Sequence, residues 1–143
     1  MFNTICLMDN FLTKLECSSL IKDFKTNKKQ IKKYYNTYTL EYVHQAIIDR
    51  LSEISLFDFK NYDRLEIVFR KKDSFMDSHI DKGDKMTFII YLNDDYKGGE
   101  TIIEDMKIKP KTGRLIFFNN GFYYHSVNKI KDRERYVYIG WYK

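Results

Sequence analysis

The stretch Arg135-Tyr136-Val137-Tyr138-Ile139-Gly140-Trp141-Tyr142 decides how the chain folds. It reads as a strongly apolar strand. Side chains alternate between the two faces of a strand, so Arg135, Val137, Ile139 and Trp141 share one side. If that side is the inside of a barrel, the guanidinium of Arg135 is buried and needs an anion there. A dicarboxylate could supply it, because guanidinium and carboxylate pair through two parallel charge-assisted hydrogen bonds.

Working outward, strand signals run from Asp63 to the C-terminus. Leu65 to Lys71 precedes the loop Lys72-Asp73-Ser74 and a segment carrying His79-Ile80-Asp81, with a short link from Lys82 to Lys85. Met86 to Asn93 alternates Thr87, Ile89 and Tyr91 with Phe88, Ile90 and Leu92, and both faces are largely apolar. That suits a strand sandwiched between a barrel interior and packed helices. Gly98-Gly99 and Pro110-Lys111-Thr112-Gly113 mark turns on either side of Thr101 to Lys109, and Asn119-Asn120-Gly121 separates Arg114–Phe118 from Tyr123–Val127. Ahead of these, Phe2 to Met8 predicts a short strand, with Asp9-Asn10 as a turn behind it. Thr13-Lys14-Leu15-Glu16 is a capping-box pattern opening a helix with Leu15, Leu20 and Phe24 on its apolar side, ended by a Lys-rich stretch. Leu40, Val43, Ile47, Leu51 and Ile54 recur at spacings of three and four and predict a second helix over Leu40 to Ile54. His44 lies one position off that stripe and reads as a flank residue, not a ligand. The expected fold is mainly β with N-terminal helices (α+β), built on a double-stranded β-helix, a cupin-like jelly-roll core. The expected organisation is a single domain over 1–143, with 1–60 as supporting strand and helices and 61–143 as the catalytic core.

His79 and Asp81 project to one face of an extended segment and can grip one ion, and His125 can complete the set. Two imidazoles and one carboxylate leave open positions opposite them, the facial triad of non-haem Fe(II) oxygenases. Each piece has an ordinary reading by itself: a surface histidine among Asp77, Lys82, Asp84 and Lys85, a core histidine behind Tyr123 and Tyr124, an arginine pairing with Glu134. Their order carries the metal reading. An H-x-D triplet, a strand-rich interval, a histidine and then a basic residue ten positions on stand together.

Here the chain resembles the Fe(II)/2-oxoglutarate-dependent dioxygenases, and most of all the prolyl 4-hydroxylase group with its oxygen-sensing members. The resemblance covers about Leu65 to Trp141 and rests on Ile90-Tyr91-Leu92-Asn93-Asp94, Gly98-Gly99-Glu100-Thr101, Lys109-Pro110, Gly113-Arg114-Leu115-Ile116-Phe117-Phe118, His125-Ser126-Val127 and Arg135-Tyr136. It implies that His79, Asp81 and His125 hold iron and that Arg135 pairs with the distal carboxylate of 2-oxoglutarate. Tyr91 matches a tyrosine that touches the co-substrate. Where the oxygen-sensing relatives have another co-substrate tyrosine, ten residues before His79, this chain has Phe69, so a hydroxyl is missing and Thr101 stands as its replacement. Arg70 and Lys107 are the next candidates for the anchor. The implied cofactors are Fe(II), 2-oxoglutarate as co-substrate and O2, with ascorbate as a further one that the resemblance admits. The implied reaction hydroxylates a protein or peptide, foremost at prolyl residues, with release of succinate and CO2.

Composition bounds the alternatives. A chain of 143 residues with 43% apolar and 17% aromatic residues folds as one domain-sized unit, far from disordered composition. Its apolar runs fall well short of the ~20 residues a membrane span needs. Cys6 and Cys17 are too few for a disulfide scaffold, no signal peptide is recognised before them, and the expectation is a reducing, cytoplasmic setting. The net charge of +5, with Lys25, Lys28, Lys29, Lys32 and Lys33 clustered before Tyr34 and Tyr35, keeps a nucleic-acid-modifying dioxygenase as the alternative, although a solvated helix end accounts for one such cluster. A non-oxygenase metal-binding jelly roll could use the same three ligands, but Arg135 and Tyr91 would then have no purpose. Short loops at the barrel mouth, Lys71 to Met76 and Lys82 to Lys85, suit a polymeric substrate crossing an open site. Oligomeric state is not readable from the sequence.

Overall fold

The computed structural model describes residues 4–83 and 86–143. In chain order the elements are β1 (Cys6–Met8), α1 (Lys14–Thr26), β2 (Lys32–Tyr34), β3 (Thr37–Glu41), α2 (Gln45–Ile54), β4 (Arg64–Arg70), β5 (Met76–His79) and β6 (Met86–Tyr91). There follow β7 (Lys97–Gly98), β8 (Thr101–Ile103), β9 (Met106–Ile108), β10 (Leu115–Phe118), β11 (His125–Val127), β12 (Ile130–Asp132) and β13 (Arg135–Tyr142). A seven-stranded antiparallel sheet has the order β1-β10-β6-β13-β4-β3-β2, and a four-stranded one the order β5-β11-β8-β9. Two sheets with these crossovers form the double-stranded β-helix that the strand spacing predicts. Of the expected strand Phe2 to Met8, Phe2 and Asn3 lie outside the described residues, as do Asp84 and Lys85 of the link before β6.

The large sheet separates two cores, and strand alternation decides which residue enters which. Tyr136, Tyr138 and Tyr142 of β13 join Phe88 and Ile90 of β6 and Leu65 and Ile67 of β4 beneath the helices, which contribute Leu20, Phe24, Ile47, Ile48 and Leu51. On the other face Val137, Ile89, Tyr91, Val68, Ile103 and Phe118 fill the space between the sheets. Each of these buried side chains contributes about 1.5–3 kcal/mol by leaving water. Gly140 sits on the crowded helix side, where a Cβ would lie 2.1 Å from the Phe88 ring. Gly140→Ala is therefore expected to destabilise the fold by about 1–3 kcal/mol through overpacking, seen as a melting midpoint several degrees lower. An unchanged midpoint would mean that Phe88 relaxes freely.

α1 starts where its capping box predicts. The Thr13 hydroxyl accepts from the Glu16 amide at 3.1 Å, the Glu16 carboxylate accepts from the Thr13 amide at 3.0 Å, and such a cap contributes about 1 kcal/mol. Glu16 also pairs with Arg50 of α2, and that hydrogen bond above all brings its carboxyl down to about 2. Three local expectations are corrected. Leu15 is exposed, and Cys17 takes the buried place with Leu20 and Phe24. α2 begins only at Gln45: Leu40 is buried in β3, Val43 is exposed, and His44 caps the helix by accepting the Ile47 amide at Nδ1, 3.3 Å away. The Lys-rich stretch is not a helix end running into loop; α1 stops at Thr26, and a 3-10 turn at Lys28–Gln30 leads into the β2–β3 hairpin. Likewise Thr101 to Lys109 is no single strand but the hairpin β8–β9, turned at Glu104 with φ 51°.

Candidate metal centre and anion pocket

β5 and β11 are neighbours in the small sheet, and their register sets His79 directly opposite His125. Asp81 follows β5, held by its amide on the Asn120 carbonyl at 3.0 Å. The ligand atoms of His79, Asp81 and His125 all lie within 4.8 Å of one another, the one such group among the described residues. The two Asp81 carboxylate oxygens face the His79 Nε2 at 3.1 Å and the His125 Nε2 at 3.3 Å. On the far side of each ring, Nδ1 lies 2.8 Å from the Asp77 carbonyl and 3.0 Å from the Tyr123 carbonyl. A carbonyl can only accept, so each Nδ1 carries the proton and each Nε2 of a neutral ring turns a lone pair toward the carboxylate. Lone pairs facing an anion at these distances need positive charge between them, either further protons or a divalent cation. The donor set of two nitrogens and one carboxylate, with outer-shell carbonyls fixing both tautomers, fits a divalent metal. Burial works to raise the Asp81 carboxyl, but hydrogen bonding and charge from His125 and His79 outweigh it and hold it below the usual carboxylate range.

The centre opens into a cavity of about 400 Å³ between the sheets, walled by Val68, Ile89, Val127 and Ile139. Arg135 lies in this cavity 1% exposed, as the β13 alternation predicts. Its Nε donates to the Gly99 carbonyl at 3.1 Å, an η nitrogen donates to the Thr101 hydroxyl at 3.2 Å, and the guanidinium stacks on the Tyr91 ring at 5.3 Å. Gly99, at φ +68°, is required here, because a Cβ would press on Tyr96 at 2.8 Å and on the Arg135 side chain at 3.3 Å. Every hydrogen-bond partner of Arg135 is neutral, so a buried cation is left without a counter-charge among the described residues.

Thr101 and Arg135 line the cavity; Tyr91 lies behind them. Its hydroxyl lies 2.5 Å from the Thr101 hydroxyl and accepts the Thr101 amide at 3.2 Å, so it orients Thr101 instead of facing the cavity. Phe69 is misplaced by the sequence reading. It points into the helix-side core against Phe24 and Tyr136, and Arg70 is the β4 residue that enters the cavity at that level. No hydroxyl is therefore missing from the wall at Phe69. Lys107, on the exposed β9, takes no part. Arg64, Glu66 and Thr87 also line the cavity and were missed; alternation along β4 from Arg70 would have found the first two.

The family model of the 2OG-Fe(II) oxygenase superfamily matches residues 64–143. A PKHD-type hydroxylase of Prochlorococcus marinus (strain MIT 9515) is 40% identical over 62 residues, 39% of this chain and 28% of that relative's length. The chain thus aligns with less than a third of the curated relatives it matches. A viral collagen prolyl hydroxylase from Paramecium Bursaria Chlorella virus-1 superposes with a TM-score of 0.75 at 20% identity, covering 96% of this chain and 93% of the other. A prolyl hydroxylase from Trichoplax adhaerens, solved with a hypoxia inducible factor peptide fragment, gives 0.77 at 19% identity, covering 98% and 83%. Both structures show the same double-stranded β-helix. Because the matched region begins at the first residue of β4 and takes in every strand of the cavity wall from there on, the chain belongs to the 2OG-Fe(II) oxygenase superfamily.

Proposed function

We propose that this protein hydroxylates a protein or peptide, with prolyl residues as the foremost target, consuming 2-oxoglutarate and O2 and releasing succinate and CO2. The observation that carries the reading is one cavity holding both a three-donor metal centre and a buried guanidinium with no counter-charge among the described residues. In it His79, Asp81 and His125 hold Fe(II), and their Nδ1–H groups, locked on the carbonyls of Asp77 and Tyr123, keep both rings aimed. Iron bound there supplies the activation of oxygen. Arg135, backed by Thr101 and Tyr91, receives the distal carboxylate of 2-oxoglutarate and sets its orientation. Val68, Ile89 and Val127 keep water from the reacting groups. One oxygen atom ends in succinate and the other replaces the target C–H with C–OH.

The mouth supports a polypeptide substrate. Tyr34 of β2 lines the cavity, and Tyr34, Tyr35 and Phe75 expose aromatic faces around a groove continuous with it. Aromatic-lined grooves suit extended, proline-containing segments, which lose little entropy on binding. The prolyl hydroxylase names of the relatives point the same way. A nucleic-acid substrate draws less support: Lys32 pairs with Glu41 and Lys33 sits over the Tyr38 ring, which leaves less of the cluster for phosphates. A reducing, cytoplasmic setting agrees with the free thiols of Cys6 and Cys17, the latter raised to about 11 by burial. No described helix is long and apolar enough to cross a membrane.

The test is succinate formation with peptide and oligonucleotide pools at about physiological salt, with and without ascorbate. Proline-containing peptides are expected to stimulate turnover and gain one oxygen atom, and oligonucleotides to bind in a salt-labile manner without turnover. Stimulation by oligonucleotides alone, with an altered base or sugar, would replace the protein-hydroxylase reading.

A further inference from the structure

The β4 face that enters the cavity brings a second arginine. The strand register places Arg70 directly opposite Arg135, and both line the same cavity. Like charges directly opposite on neighbouring strands repel, so this pair costs the empty protein stability. Arg70 donates to the Thr37 hydroxyl at 3.0 Å, the Ser74 hydroxyl at 3.4 Å and the Met76 sulfur at 3.7 Å, all neutral. Among the described residues no carboxylate lies within ion-pair distance of either arginine. Burial, with a smaller push from the charge of Arg135, brings the Arg70 guanidinium down to about 10, so it stays charged at neutral pH.

Two desolvated cations facing one space are compensated by two negative charges or by one shared carboxylate. We propose that Arg70 is a second carboxylate anchor in this cavity, acting with Arg135 on the dicarboxylate co-substrate and favouring doubly charged over singly charged 2-oxo acids. The inference rests on the co-substrate reading above and adds to it a residue that takes the inward place beside Phe69. Arg70 also lies at the neck between the cavity and the outer groove of Tyr35 and Phe75, so its charge is felt from both.

The experiment is equilibrium binding of 2-oxoglutarate to the Mn(II)-loaded protein without peptide, followed by calorimetry or by the fluorescence of Trp141, the single tryptophan, which lines the cavity. Arg70→Gln is expected to weaken 2-oxoglutarate by about tenfold, while 2-oxobutyrate, with one charge, changes less and the preference between the two narrows. Without ligand, Arg70→Gln should melt no lower than wild type, since it removes a repulsion; a merely structural role would lower the midpoint. If the glutamine variant folds poorly, Arg70→Met keeps the stem packing, drops the charge and gives the same comparison. Unchanged 2-oxoglutarate affinity in the charge-removed variant, with Arg135→Gln weakened, overturns the proposal and leaves the co-substrate reading standing. No binding of 2-oxoglutarate by wild type overturns both.

Discussion

Asp81→Ala is expected to give a folded protein whose succinate formation falls by at least about a hundredfold, since loss of even an outer-shell partner of a metal ligand costs 10–100-fold. Asp81 contributes the only anionic donor of the centre, and both imidazole Nε2 atoms face its carboxylate. Its removal leaves two neutral donors for a divalent ion, too few to hold it. The fold should persist, because the link to the Asn120 carbonyl runs through the Asp81 main chain and the side chain packs in neither core. Circular dichroism, metal content and succinate release measured on the same sample check this. Wild-type turnover in metal-quantified Asp81→Ala would remove the centre from these three residues.

Arg135→Gln should weaken 2-oxoglutarate roughly tenfold to a hundredfold, the effect of losing about 1.5–3 kcal/mol of charge-assisted hydrogen bonding. Metal binding should survive, because Arg135 touches Gly99, Thr101 and Tyr91 and none of the three donors. Titration of the Mn(II)-loaded variant beside wild type measures both quantities. An unchanged affinity would transfer the whole anchoring role to Arg70, since Lys107 faces away from the cavity.

What could be read from the sequence was mostly what is local. The Thr13–Glu16 cap works within one helical turn, and the inward set of Arg135, Val137, Ile139 and Trp141 follows from a period of two. His79 and Asp81 sit two residues apart, but the pairing of His79 with His125 depends on β5 meeting β11 across some forty-five residues, which spacing alone does not encode and the family resemblance supplied. Failures have particular causes. Tyr35 and Glu104 adopt left-handed backbone at φ 56° and 51° where turn chemistry favours glycine or asparagine, so neither hairpin announced itself. Leu40 and Val43 imitate helical spacing while belonging to β3 and the segment before α2, because tertiary pairing with β4 overrides the pattern. Phe69 was aligned by distance from His79, and a strand shifted by one residue turns the neighbouring side chain inward.

β13 carries the anion anchor on one face and the tyrosines of the helix-side core on the other, and it pairs along its length with both β4 and β6. Chemistry and folding are therefore written in the same eight letters at opposite phases. Adding or deleting a single residue between Arg135 and Tyr142 would drive a guanidinium under the helices and push phenol rings into the cavity in one step. Variation in this chain can change side chains freely at the mouth, but through this strand it can proceed only by substitution and never by a change of length.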